Sequence, residues 1–175
     1  MLLTGSFPRM LDDKLRFVIP KPLRDAIGSS DQSNLYLAPG TDGSLALYPE
    51  ETFHRLANRV EQGASDGRDL AAFSRLFYTQ AQHVELDRQG RLRLPVELAE
   101  LAGLRREIML LGVRDHLEIW NRELWETYLS RTQPHYDELA AKVLAGGSAV
   151  RLPDTPPVHV RSNPADAATR PGHPR

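Results

Sequence analysis

"VELDRQGRLRLP", residues 84–95, repeats a pattern found 75 positions earlier in "RMLDDKLRFVIP", residues 9–20: Leu-Asp, three residues, Arg, then a short apolar run ending in Pro. The correspondence runs beyond the motif. Asp12 maps onto Asp87, Arg16 onto Arg91, Pro20 onto Pro95, Leu23 onto Leu98 and Gly28 onto Gly103. Three residues then drop out. At an offset of 72, "LALYPEETF" (45–53) meets "LEIWNRELW" (117–125), pairing Leu45 with Leu117, Tyr48 with Trp120 and Phe53 with Trp125. Apolar, Pro, Gly and aromatic positions that match in one order indicate an internal duplication.

Each copy predicts the same elements. A first strand ("TGSFPRML", "QHVEL") leads into the Asp-x-x-x-Arg turn, and an alternating strand follows ("RFVIP", "RLRLP"). Pro20 and Pro95 cannot donate to a ladder and can open a helix, which "KPLRDAIG" and "VELAELAG" supply, with Gly28 and Gly103 as left-handed stops. A hairpin comes next, turning at Asp42-Gly43 in one half and near Arg114-Asp115 in the other. A helix over 50–62 presents Phe53, Leu56, Ala57 and Val60 on one face; a helix over 122–131, capped by Asn121, presents Leu124, Trp125, Tyr128 and Leu129. Leu70, Phe73, Leu76 and Phe77 mark a bridging helix; Tyr136, Leu139, Ala140, Val143 and Leu144 mark another, stopped at Gly146-Gly147. These aromatic and aliphatic stripes read as core. The organisation is a first half over 1–66, a bridging helix over 67–80, a second half over 81–131, a helix over 132–145, and a Pro- and Arg-rich tail over 146–175 without apolar period, expected to be disordered.

The chain has 175 residues, 41% of them hydrophobic, and two halves of this size are each marginal as independent folds. Close packing between them, or oligomerisation, is expected. Absence of cysteine excludes disulfides, thiolate catalysis and a Cys-based zinc site. No apolar run has the length of a signal peptide or a membrane span, so a cytoplasmic protein is expected. The net charge of −1 is not that of a globally basic protein. Positive charge is concentrated instead in two islands that coincide with the motif copies: Arg9, Lys14, Arg16, Lys21 and Arg24, and then Arg88, Arg91 and Arg93.

The Asp of each motif can accept hydrogen bonds from backbone N–H groups two or more residues on, which stabilises a tight turn, and Gly90 suits a positive φ. One reading has Asp and Arg satisfying each other in a salt-linked hairpin. The surplus of cations over the motif carboxylate, with Lys14 beside Arg16 and with Arg88 and Arg93 around Arg91, supports another. A two-stranded ribbon carrying such cations fits the major groove of duplex DNA.

"LDDKLRFVIP" and "LDRQGRLRLP", set in duplicated strand-strand-helix halves and accompanied by "LYP" and "IMLLGVRDHLEIW", resemble the MraZ family, relatives of the AbrB-like (SpoVT-type) swapped-hairpin DNA-binding proteins. The resemblance covers roughly residues 1–145. It implies an α+β fold: tandem duplicated swapped-hairpin AbrB-like β-barrel halves forming a pseudo-dimer, with flanking helices and a disordered C-terminal tail. It implies a transcriptional regulator of a bacterial division and cell-wall gene cluster that binds short direct repeats in its own promoter and assembles as a ring of identical subunits at the nucleoid. By the family pattern the motif arginines are Arg16 and Arg91. Lys14 takes the basic slot of the first motif and Arg88 that of the second, while Asp12 and Asp87 stabilise the turns. Arg93 joins the DNA-binding set and Gly90 the turn-forming one. The partners implied are double-stranded DNA and further copies of the chain, with no cofactor, metal, membrane or small-molecule substrate. The family's first motif carries Gly where this chain has Leu15, and a branched side chain resists positive φ by roughly 1 kcal/mol or more. A different geometry at the first turn, with Arg16 redirected, is therefore expected.

Two other classes compete. An enzyme would need a motif that the sequence lacks: there is no Walker loop, G-x-S-x-G, H-E-x-x-H or dinucleotide fingerprint, and the six histidines are scattered. A protein-interaction module, antitoxin-like or a scaffold ring, would need a partner-binding arm, for which the polar, Pro-rich tail is poorly suited.

Overall fold

A computed structural model describes residues 2–27, 34–63 and 67–146. Gly28 and the tail beyond 146 lie outside the described residues, as do the chemistry and conformation expected of them. Two compact units are distinguished, Met1–Pro134 and His135–Arg175.

In the first unit the elements follow the duplicated order. The first half contains β1 (Ser6–Met10), β2 (Arg16–Val18), α1 (Lys21–Ile27), β3 (Leu35–Pro39), β4 (Leu45–Pro49) and α2 (Glu50–Gly63). After α3 (Gly67–Tyr78), the second contains β5 (Gln82–Val84), β6 (Arg91–Arg93), α4 (Val96–Leu101), β7 (Glu107–Val113), β8 (His116–Asn121) and α5 (Arg122–Thr132). Local chemistry accounts for the joints. Asp42 (φ 54°) and Gly43 (φ 83°) are both left-handed, as the central pair of a type I′ turn requires, and the Ser44 N–H closes it on the Thr41 carbonyl at 3.0 Å. Gly103 (φ 56°) ends α4, and its carbonyl accepts from Nδ2 of Asn121 at 2.9 Å. Asn121 in turn caps α5, its Oδ1 accepting from the Leu124 N–H at 3.2 Å. The second unit contains α6 (Tyr136–Gly146), with Asp137 and Glu138 in its first turn, where negative charge complements the helix dipole.

Strand pairing crosses between the halves. A six-stranded sheet runs β1-β7-β8-β4-β3-β5, all pairs antiparallel, and β2 pairs with β6 in a separate two-stranded ribbon. The first strand of each half thus lies on the hairpin of the other: β1 on β7, and β5 on β3. Replacing each strand by its repeat counterpart returns the same order reversed, with β4–β8 and β2–β6 as the central pairs.

The core follows this exchange. One apolar cluster takes Leu3, Leu11, Phe17, Ile19, Leu23, Ile27, Leu35, Leu37, Leu45 and Leu47 from the first half. From the second it takes Val84, Leu92, Leu94, Leu98, Ala99, Ala102, Ile108, Leu110, Leu117 and Ile119. Neither half has this core to itself, which is how two marginal units bury enough apolar surface. A satellite of Ala38, Phe53 and Phe77 lies where α2 and α3 approach the sheet.

Two expectations need correction. The sheet is open, with β1 and β5 at its edges, so barrel halves are not what the strand order describes; the β2–β6 ribbon remains a sheet of its own instead of joining those edges. The apolar stripes are also only partly core. Phe53 and Phe77 are buried, but Phe73 and Leu76 on α3, and Leu124 and Leu129 on α5, stay exposed. Each of these helices sets only one edge of its stripe against the sheet.

Candidate nucleic-acid interface

The two Asp-x-x-x-Arg turns share one hydrogen-bond plan. In the first, the Asp12 carbonyl accepts from the Leu15 N–H (2.9 Å), and Asp12 Oδ1 accepts from the backbone N–H of Lys14 and of Arg16 (2.9 Å each). In the second, the Asp87 carbonyl accepts from Gly90 N–H (2.8 Å), and Asp87 Oδ1 accepts from Gln89 (2.9 Å) and Arg91 (3.0 Å). The other carboxylate oxygen takes the arginine: Arg16 Nε at 2.8 Å from Asp12 Oδ2, Arg91 Nε at 2.6 Å from Asp87 Oδ2. Hydrogen bonds from the Arg16 guanidinium and from the backbone hold the Asp12 carboxyl down, from 3.8 to about 2. Asp87 is lowered too, first by the Arg91 backbone N–H and then by its side chain.

Leu15 does not redirect the first turn. It adopts φ 56°, close to the φ 71° of Gly90, and the bonds around it match those of the second turn one for one. Four backbone and side-chain bonds to Asp12 outweigh the steric cost at Leu15, whose side chain packs against the shared core. The matched bonds also correct one equivalence. Gln89, not Arg88, occupies the place of Lys14; Arg88 stands opposite Asp13.

The turns deliver their arginines to the ends of the ribbon. In the β2–β6 register, Arg16 faces Arg93, Phe17 faces Leu92, and Val18 faces Arg91. Residues two apart share a face, so Phe17 and Leu92 point into the core while Arg16, Val18, Arg91 and Arg93 line the outer side. The Leu94 N–H donates to Leu15 O and the Ile19 N–H to Gly90 O, which ties each strand end to the opposite turn.

The cations of this surface fall into two groups. Arg16 and Arg91 are ion-paired, and their side chains are 28% and 29% exposed, so the salt-linked reading describes them correctly. They are not sequestered. Lys14, Arg88 and Arg93 are exposed and have no side-chain partner among the described residues. Two further arginines, counted in the sequence only as part of the basic islands, reach this region. Arg9 on β1 donates from Nε to the Val18 carbonyl at 3.1 Å, meeting an acceptor at the ribbon's edge. Arg24 on α1 lies over Gly90: a Cβ built there would sit 2.6 Å from its Cζ. Nothing in a linear reading joins residue 24 to residue 90. Among the described residues, no group of three or more His, Asp or Glu side chains is placed to hold a metal ion, and no helix is long and apolar enough to cross a membrane.

A family model described as "MraZ protein, putative antitoxin-like" matches residues 77–144. A curated relative named Transcriptional regulator MraZ, from Heliobacterium modesticaldum, is 33% identical over 140 residues, covering 80% of this chain and 95% of its own length. The chain belongs to the MraZ family. Proteins of the same name from Finegoldia magna (34% identical, 74% of this chain and 88% of theirs) and Lactiplantibacillus plantarum (34%, 80% and 96%) are similar to it. The MraZ model includes the second turn and the β7–β8 hairpin behind it. The first turn, where Leu15 departs from the Gly of the second, lies outside the matched residues.

Proposed function

We propose that this MraZ-family chain is a DNA-binding transcriptional regulator, as its relatives are named, and that it binds short direct repeats upstream of its own gene in a division and cell-wall cluster. One observation carries the reading. A two-stranded ribbon exposes Arg16, Arg91 and Arg93 on a single face, with Lys14 and Arg88 at the flanking turn tips. Arg16 and Arg91 stand about 7 Å apart along the ribbon, two strand residues, so both fit within one major groove of about 12 Å width. Among the described residues, Arg93, Lys14 and Arg88 are exposed cations without a side-chain partner, suited to phosphates or guanine edges. The paired arginines would hold the turns in shape and offer their remaining N–H groups to bases. The crossed pairing of β1 with β7 and of β5 with β3 supports a duplicated swapped-hairpin pseudo-dimer in which each half completes the other. Exposed Phe73, Leu76, Leu124 and Leu129 support assembly of several chains into a closed, head-to-tail ring, in keeping with direct rather than inverted repeats.

Arg93→Ala should weaken binding to a duplex from the region upstream of the gene by about 1–3 kcal/mol if it reads a base, with the oligomeric state unchanged in light scattering. Arg91→Ala should weaken binding and also loosen its turn. Equal affinity of wild type and Arg93→Ala for that duplex and for a scrambled one would remove the ribbon from the site. The antitoxin-like description of the family model and the exposed apolar residues of α3 and α5 favour a second reading, a protein-interaction module. Co-purification of a stoichiometric protein partner, together with no DNA affinity, would decide for it.

A further inference from the structure

Arg24 belongs to the first half by sequence and to the second turn by position. A Cβ on Gly90 would meet its Cζ at 2.6 Å and its Cδ at 2.7 Å, so the side chain lies flat on the turn. Its Nε is buried and has no hydrogen-bond partner, and no carboxylate among the described residues pairs with it. The acid beside it on the helix, Asp25, is held by Lys21 at 2.7 Å. A guanidinium with its stem covered and its charge uncompensated is costly unless an anion completes it. Arg88, in the same turn as Gly90 and without a side-chain partner among the described residues, adds positive charge to this turn.

The first turn is built in the opposite way. The offset of 75 places Ala99 at the position of Arg24 and Leu15 at that of Gly90. There the turn carries the large side chain, which packs into the core that includes Ala99, and the helix carries the small one. Large and small have been exchanged between the two sites, and only one exchange brings a cation to the surface.

We propose that Arg24 is a phosphate-contacting residue of the second turn, donated across the repeat by the first half, and that it makes the two turns unequal toward duplex DNA. The inference rests on the DNA-binding reading above. A phosphate diester offers the paired oxygens that a guanidinium fork matches. The second turn then holds the strand more tightly than the first, which orients each chain on its repeat in one direction.

The test is the salt dependence of binding, by fluorescence anisotropy, to a duplex from the region upstream of the gene. Each phosphate contact contributes about −0.9 to the slope of log K against log salt. Arg24→Gln should make that slope shallower by about 0.9 per chain bound, while Arg24→Lys, which keeps the charge, should retain it. The double variant Leu15→Gly with Ala99→Arg builds the same arrangement at the first turn and should steepen the slope by a similar amount. A lowered affinity or melting temperature in Arg24→Gln with the slope unchanged would mean that Arg24 only props the turn, and would overturn the proposal. Failure of the double variant to steepen the slope would overturn the claimed inequality of the turns. Wild-type protein that binds no duplex in a salt-dependent way would sink the DNA-binding reading itself, which is a different result.

Discussion

Leu15 and Gly90 hold nearly the same left-handed backbone, at φ 56° and 71°, for different reasons. Leu15 is kept there by the Asp12 bonds and by its contact with the core. Gly90 needs both its φ and its missing Cβ, because Arg24 occupies that space. Gly90→Ala should therefore cost about 1–2 kcal/mol from the backbone, and more from displacing Arg24, as read by chemical denaturation. A variant as stable as wild type would show that the turn yields freely. The aspartates set an acid limit on both turns. Their folded carboxyls titrate below the ordinary 3.8, Asp12 at about 2, so their stabilising effect is complete above the unfolded value and is lost as pH falls through the folded one. Carboxyl carbon NMR of Asp12 and Asp87 should show titration midpoints under 3.8; a midpoint at or above that value would contradict the bonding described. The Asp-x-x-x-Arg spacing made these turns readable in the sequence because every hydrogen bond to the motif aspartates spans four residues or fewer. The tolerance of Leu15 was not readable, because its compensation lies in a core assembled from distant segments.

Hairpins and helices were legible for the same local reason. Asp42-Gly43, the Gly103 stop and the Asn121 cap each act within a few residues, and each element appears where its signal stands. A side-chain cluster on the β7–β8 hairpin was not legible, since the sequence shows its histidine as one of six scattered residues. His116 Nδ1 lies 3.1 Å from Asp115 Oδ1, and Nε2 lies 3.5 Å from Glu118 Oε1. Its ring stacks on Tyr48 of β4, and the Trp120 Nε1–H donates to Glu118 at 2.8 Å. Burial alone would pull the imidazole down, but the bonds to Glu118 and Asp115 outweigh it and raise its pKa above the ordinary 6.5. The charge of Arg59 on α2 acts on Asp115 and Tyr48, lowering the pKa of both. A group with a raised folded pKa stabilises fully below its unfolded value and ceases to do so as pH rises through the folded one. Melting temperature should then fall between about pH 6 and pH 8 by more in wild type than in His116→Gln. Parallel pH profiles for the two proteins would show that the imidazole is not charged in the folded state.

At the scale of the molecule, the crossed strands make each half dependent on the other. Residues 1–66 expressed alone lack β7, the partner of β1, and β5, the partner of the β3 edge, and keep only half of the shared core. Such a fragment should not fold as a monomer; analytical ultracentrifugation with circular dichroism should find it unfolded or self-associated. A cooperatively folding monomer of that length would refute the shared core. Duplication, the element order and the basic islands over residues 9–24 and 87–93 were written in the chain itself, because each is a matter of spacing and local bonding. Which strands exchange, that the sheet stays open, and that Arg24 comes to rest on Gly90 were settled by folding. These depend on contacts between segments tens of residues apart, and only the burial of one common core brings those segments together.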